Sequence, residues 1–422
     1  MLSALINAFR VPDLRRKIFF TLFIIALYRL GSYVPVPGVD AAGLGEAFSK
    51  SMGDNPAMLM LNIFSGNALS NFSVFSLGIM PYITASIIMQ LMQGVIPSLQ
   101  RMAREGESGR KRITQITRYL CLGLGFINAV GYLFMFQSKQ YGLVLPQGME
   151  FLTSCIIVLT LVAGVGFIMW MGELITQRGV GNGMSLIIFA NIIAGFPNVI
   201  LQSWDQNLAL TVLIFIVVLL VIPGIVLVER AQRRIPVNYA KRIQGRRVMG
   251  GQSTYIPLKV NGAGVIPIIF ASSLVYFPLQ LAVFFNVEWL SAFSNALSRG
   301  PVNWVVTFTL IVFFCFFYTS MVFNPEDTGD NLRKQGGFIP GVRPGTATVQ
   351  YIKNVINRIT LPGGIYIALI AVVPSILFMF TNDPLISTFG GTSILIMVGV
   401  ALDTMSKVES QLKQHHYDGF FK

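Results

Sequence analysis

Gly78-Ile79-Met80-Pro81-Tyr82-Ile83-Thr84-Ala85-Ser86 is matched further along the chain by Gly264-Val265-Ile266-Pro267-Ile268-Ile269-Phe270-Ala271-Ser272. Gly, Pro, Ile, Ala and Ser recur at the same offsets. Each stretch sits in an apolar run near the length of about 20 residues that a helix needs to cross a bilayer. A proline inside such a helix removes one backbone hydrogen bond and bends the rod, so matched Gly/Pro interruptions point to a central pathway. Working outward, apolar windows predict ten spans, near 17–34, 74–96, 115–136, 151–172, 181–200, 208–228, 264–285, 303–323, 363–380 and 393–405. The matched stretches fall in spans 2 and 7, the second of each five-span half. Five is odd, so the two halves cross in opposite senses, as an inverted repeat does.

Composition supports the membrane reading. Of 422 residues, 54% are apolar and 12% charged, against about 25% charged in a soluble domain. The unbroken apolar runs favour helices over the alternating strands of a barrel. Arg15, Arg16 and Lys17 precede the first span, but that span is too long for a signal peptide and no small-x-small cleavage site follows it. Before it, Leu2, Leu5, Ile6 and Phe9 fall at helical spacing, which predicts an amphipathic cytoplasmic N-terminus over 1–16 lying on the membrane surface.

Orientation follows from where basic residues fall. Of the 31 Lys and Arg residues, only Lys50, Lys139 and Arg299 lie opposite the N-terminal side, and Arg29 lies within the first span. Arg29 reads as a side chain snorkelling to the outer headgroups. Both termini are then cytoplasmic, and the net charge of +13 follows largely from topology. Cys121, Cys155 and Cys315 lie in or beside spans and make no disulfide framework.

Catalytic chemistry is sparse. The only histidines, His415 and His416, are adjacent in the tail, and Glu173 and Asp403 lie at the cytoplasmic span ends, where carboxylates reach water. No nucleophile–base pair, metal cluster or Walker-type phosphate loop is evident, so neither an enzyme nor a cofactor is expected. A secondary transporter, the alternative with inverted repeats, would carry a charge near the midplane. The middle is aliphatic instead, which suits a constriction that blocks ions by dewetting.

At this level of detail the chain resembles the SecY family, channel subunits of the bacterial Sec protein translocase. The resemblance rests on GIMPYITASI (78–87), GVGNGMSLIIFAN (179–191), YAKRIQGRRV (239–248), QSTYIPLKVNGAGVIP (252–267), PGVRPG (340–345) and GGTSILI (390–396). It implies an all-α polytopic fold of two inverted five-helix halves around an hourglass pore. The halves are 17–200 and 201–408, followed by a cytoplasmic tail over 409–422. Six positions carry over as a pore ring: Ile83, Ile87, Met184, Ile188, Ile269 and Ile396. Met184 departs from the isoleucine expected there; methionine is flexible and apolar and still able to seal. Without the resemblance, each ring residue reads as an ordinary packed or lipid-facing aliphatic.

The resemblance also implies a plug at about 58–72, including Leu61, Asn62, Ile63, Phe64, Ser65, Gly66 and Asn67, where the residues alone allow a surface loop. A lateral gate is implied between spans 2 and 3 on one side and 7 and 8 on the other, with Thr84, Ser86, Ser272 and Ser273 offering weak polar contacts across it or simply packing as small residues. Cytoplasmic loops 229–262 and 324–362 are the implied docking sites, with Arg246, Arg247 and Arg343 on them. The implied function is passage of unfolded secretory polypeptides and sideways release of hydrophobic segments into membrane lipid. The implied partners are SecE, SecG, the SecA ATPase, the ribosome and a signal peptide, and the implied location is the bacterial plasma membrane.

Overall fold

A computed structural model describes residues 9–39, 62, 65–137, 150–206, 208–239, 242–244, 247–249, 253–285, 292–293, 297, 300–381 and 391–418. The first half contributes α1 (Pro12–Gly31), α2 (Met80–Val95), α3 (Pro97–Arg104), α4 (Glu107–Gln137), α5 (Glu150–Arg178) and α6 (Gly183–Gln206). The second contributes α7 (Leu208–Arg230), α8 (Ile266–Phe285), α9 (Pro301–Val322), α10 (Pro325–Lys334), α11 (Thr346–Thr381) and α12 (Gly391–Asp418). Among the described residues, five stretches are helical, long and apolar enough to cross a membrane: Glu107–Gln137, Glu150–Arg178, Pro301–Lys334, Thr346–Ile376 and Gly391–Gln414. A sixth candidate is the pair α2–α3, bent by 103° at Ile96-Pro97. The bend has a local cause: proline disfavours the helical conformation in the residue before it, and Ile96 is extended, with ψ of 115°.

The matched Gly/Pro stretches differ from the expectation in one respect. Pro81 and Pro267 do not interrupt helices; each sits in the first turn of one, where a missing N–H costs nothing. Residues 74–79, expected inside span 2, form turns leading into α2. The two starts share one geometry. Gly78 and Gly264 have positive φ of 55° and 63°. The Ile79 carbonyl then accepts from the amides of Tyr82 and Ile83, and the Val265 carbonyl from those of Ile268 and Ile269. The motif is thus a helix-start device: glycine makes the left-handed turn and proline sets the first helical φ.

Between α7 and α8 lie β1 (Gln232–Tyr239), β2 (Arg242–Gln244), β3 (Arg247–Met249) and β4 (Ser253–Lys259). β1 pairs antiparallel with β4, with Ile235 opposite Ile256. β5 (Gly337–Phe338), from the following loop, pairs with the other edge of β1, giving the order β4-β1-β5. Val237, Leu258, Leu332, Ile339 and Ile352 form a small apolar core under this sheet, separate from the main core. The main core runs from Tyr28 and Ile83 in the first half to Ile269, Phe314 and Ile396 in the second.

Candidate functional site

All six expected ring positions are buried in the main core. Ile83 and Ile87 on α2, Met184 and Ile188 on α6, Ile269 on α8 and Ile396 on α12 all belong to one contiguous apolar cluster, with exposures between 0% for Ile396 and 9% for Met184. Ala68, Leu69 and Phe72 of the segment before α2 belong to the same cluster. No water-accessible polar side chain is among the six, so a path lined by them binds no ion and repels water. Met184 has a specific neighbour: a Cβ built on Gly172 of α5 would collide with its sulfur. The thioether therefore occupies space that glycine leaves free, which is how a methionine fits at that position.

α2 packs directly against α8, α4 also touches α8, and Gly94 of α2 faces the Phe317 ring of α9. The seam expected between spans 2–3 and 7–8 is thus a closed helix contact. Of the four polar residues placed there, Thr84 donates to the Met80 carbonyl at 3.1 Å, Ser272 donates to the Ile269 carbonyl at 3.0 Å, and Ser86 accepts from Gln90 at 3.1 Å. All three bonds stay within their own helix. A hydroxyl four residues from a free carbonyl satisfies itself locally. Ser273 is buried.

Of the expected plug residues, Asn62, Ser65, Gly66 and Asn67 are described; Leu61, Ile63 and Phe64 lie outside the described residues. The segment is a compact set of turns. Ser65 donates to the Asn62 carbonyl at 2.9 Å, the Ser70 amide donates to Asn62 Oδ1 at 3.1 Å, and Ser76 donates to the carbonyls of Ala68 and Ser73. Gly66 and Asn67 have φ of 68° and 66°. Arg29, read from the sequence as a snorkelling side chain, has a partner within the protein. Its Nη1 donates to the Gly66 carbonyl at 2.8 Å, and its guanidinium lies 5.9 Å from the centre of the Tyr33 ring. Glu173 likewise does not simply face water: with its side chain 16% exposed, it pairs with Arg118 of α4, whose Nε donates to Oε1 at 2.8 Å. Asp403 does reach water, beside Lys407 at 2.9 Å.

Arg343 is exposed on the loop after β5, flanked by Gly341 and Gly345 with φ of 80° and 110°, and its carbonyl accepts from Thr348 Oγ1 at 2.9 Å. The loop is therefore pinned while Arg343 itself is exposed. Arg247 begins β3. Arg246, Lys50, Lys139 and Arg299 lie outside the described residues. On the exposed face of β1, the Arg234 guanidinium stacks 4.8 Å from the Tyr255 ring centre. Among the described residues no group of His, Cys, Asp or Glu is placed to hold a metal ion.

The SecY family model matches residues 73–405. The chain belongs to the SecY family. Relatives named protein translocase subunit SecY align over the full length of both chains, with 46% identity in Streptomyces galbus, 47% in Streptomyces coelicolor and 44% in Mycobacterium tuberculosis. The fold is similar to a solved protein-conducting channel, with TM-score 0.68 and 17% identity, covering 93% of this chain and 91% of that one. It is also similar to a SecY whose plug domain is described as stabilising the closed state, with TM-score 0.66 and 18% identity over 93% and 91% of the two chains. Canine Sec61 from a ribosome-channel complex gives TM-score 0.64 at 16% identity over 93% and 91%. Membership in the SecY family removes the secondary-transporter alternative.

Three features of this SecY-family chain escaped the sequence reading. The partner of Arg29 is a backbone carbonyl, which no side-chain pattern announces. The union of two loops through β5 depends on a two-residue strand too short to show periodicity. The third is Asn261, whose Nδ2 donates to Glu229 at 2.6 Å and to the Gly264 carbonyl at 3.0 Å, tying the end of α7 to the start of α8. Its only signal was a polar residue three positions before a left-handed glycine.

Proposed function

We propose that this chain is the pore-forming subunit of a protein translocase, passing unfolded secretory polypeptides between two five-helix halves and releasing hydrophobic segments sideways into lipid. The observation that carries the reading is the burial of all six ring positions in one apolar cluster with residues of the turn-rich segment before α2. That cluster is a gasket and the segment is its plug. Full-length likeness to relatives named translocase subunits supports the same function.

In this reading the ten apolar segments are ten spans, both termini are cytoplasmic, and the membrane is the bacterial plasma membrane. The halves are inverted copies, and the shared Gly78/Gly264 helix start is the local trace of that symmetry. The α2–α8 contact is the closed lateral gate. The chain works with SecE and SecG, is driven by the SecA ATPase or a translating ribosome, and accepts a signal peptide at the seam. The three-stranded sheet and the Arg343 loop form the docking surface, and the family resemblance adds Arg246 and Arg247 to it. Likeness to channels solved on ribosomes supports the ribosome as a partner.

Single cysteines at Ile83 and Ile269, crosslinked to a stalled secretory chain, test the pore. Crosslinks at both positions are expected; crosslinks at Lys139 with none at the ring would sink the assignment. Arg343→Glu is expected to abolish motor-driven translocation while the protein still assembles in the membrane.

A further inference from the structure

The segment before α2 is held by α1 in two different ways. Its root, Phe72–Phe75, is stitched to the chain just after α1: the Val36 amide donates to the Phe72 carbonyl at 3.0 Å, and the Val74 amide donates to the Val34 carbonyl at 2.9 Å. Tyr28 stacks on the Phe75 ring at 5.5 Å, and that ring also covers Gly31, leaving no room for a Cβ there. The tip is held differently. Gly66 meets α1 through a bond from Arg29 Nη1 to its carbonyl, and it lies against Asn191 of α6, a buried residue. A Cβ on Gly66 would sit 2.5 Å from Asn191 Oδ1 and 2.7 Å from Arg29 Nη1.

We infer that Arg29 is the latch of the plug: with Asn191 it forms a clip that only a glycine can enter, and it holds the tip in the closed position while the root stays fixed. The inference rests on reading this segment as the plug. Three physical points support it. An arginine within a span is costly unless its guanidinium is satisfied, and here a backbone carbonyl of the moving part satisfies it. A hydrogen bond from a charged donor is stronger than a neutral one, and lower dielectric strengthens it further. The bond can also be broken without leaving the arginine stranded, since Arg29 already lies beside the Tyr33 ring at its span's end. Phe72, the first residue of the root, has a φ of 40°, a conformation that a non-glycine residue rarely adopts, and this marks where the two parts are joined under strain. Arg29 is therefore a positioning residue: it sets how often the channel stands open without a substrate.

The test is the idle ion conductance of the full chain, purified with its copurifying partners and fused into planar bilayers. Arg29→Ala is expected to raise the idle open fraction about tenfold, the ratio set by about 1.4 kcal/mol. Arg29→Lys, which keeps the charge but not the forked donor, is expected to fall between wild type and Arg29→Ala. Gly66→Ala keeps the arginine and fills the clip, and it should raise conductance similarly; the double variant should exceed neither single variant by much, because both break one contact. Deleting residues 62–70 separates the two levels of the argument. Idle conductance unchanged by the deletion would overturn the plug reading itself. Conductance raised by the deletion but unchanged in Arg29→Ala and Gly66→Ala would overturn the latch alone. Should Arg29→Ala fail to assemble, Gly66→Ala and Arg29→Lys still decide between these outcomes.

Discussion

Asn261 donates one hydrogen bond to the carboxylate of Glu229 at 2.6 Å and a second to the carbonyl of Gly264 at 3.0 Å. One side chain thereby joins the last turn of α7 to the left-handed residue that launches α8. Glu229 lies one residue beyond the expected span 208–228, at its charged end. Burial pushes its carboxyl above the ordinary value and Asp403 acts in the same direction, against the Asn261 hydrogen bond and Lys259, which lower it.

The direction of that shift gives a pH prediction. A raised carboxyl binds its proton more tightly in the folded protein than in the unfolded chain, so its contribution to stability is present in acid and lost as pH rises through the raised value. Glu229→Gln keeps an oxygen to accept from Asn261 and removes the charge. Thermal unfolding in detergent should show Glu229→Gln at least as stable as wild type at neutral pH, with the gap closing toward about pH 4. Glu229→Ala should instead lower stability by about 1–3 kcal/mol, because it leaves a donor poorly satisfied.

Gly264 separates conformation from space. Nothing lies within 4 Å of a Cβ built there, yet its φ is 63°. Gly264→Ala is therefore expected to cost about 1–2 kcal/mol through backbone strain alone. Gly264→Asn should cost less, because asparagine tolerates this region. Melting temperatures of the three proteins, ranked Gly, Asn, Ala, check it.

Gly172 and Met184 make a pair in which one residue's absence of a side chain houses the other's sulfur. Gly172→Ala is expected to drive the thioether out of its place and to cost about 1–3 kcal/mol if the surroundings cannot give. Its idle channel should leak ions, and adding Met184→Ala should restore the lost stability without restoring the seal. Melting curves and bilayer conductance read the two effects separately.

The Arg118–Glu173 pair links α4 to α5. With side chains 35% and 16% exposed, it is partly screened. Removing either member should cost about 1 kcal/mol, and the double variant less than the sum, in a double-mutant cycle on thermal stability.

How much of this was legible beforehand differs by residue. That the apolar runs are helical was legible, because a bilayer leaves few backbone options; of the ten expected spans, five or six are long and apolar enough among the described residues. Ile83 and Ile269 entered as ring positions through the family resemblance; both stand two residues after a proline in matched motifs, and both are buried. The role of those prolines was misread: periodicity does not distinguish a kink from a start, and only the positive φ of Gly78 and Gly264 does. Arg29 was misread for a related reason. Its distance from the span's end suggested the headgroups, whereas its partner is the carbonyl of Gly66, a contact between positions far apart in sequence and invisible to any local pattern. The hydroxyls of Thr84 and Ser272 were placed on the right helices, but a nearby carbonyl on the same helix captures them before anything across the seam can.

The pairing of β5 with β1 bears on any attempt to transplant parts between relatives. Asn238 and Tyr239, in one loop, stand opposite Phe338 and Gly337, in the other, as antiparallel strand partners. A hybrid that exchanges only 229–262 inherits a foreign edge against a native strand. A hybrid that exchanges 229–262 and 324–362 together inherits a finished sheet with its own apolar floor. The portable unit is the pair of loops, and a chimaera designed on sequence boundaries alone would cut it in two.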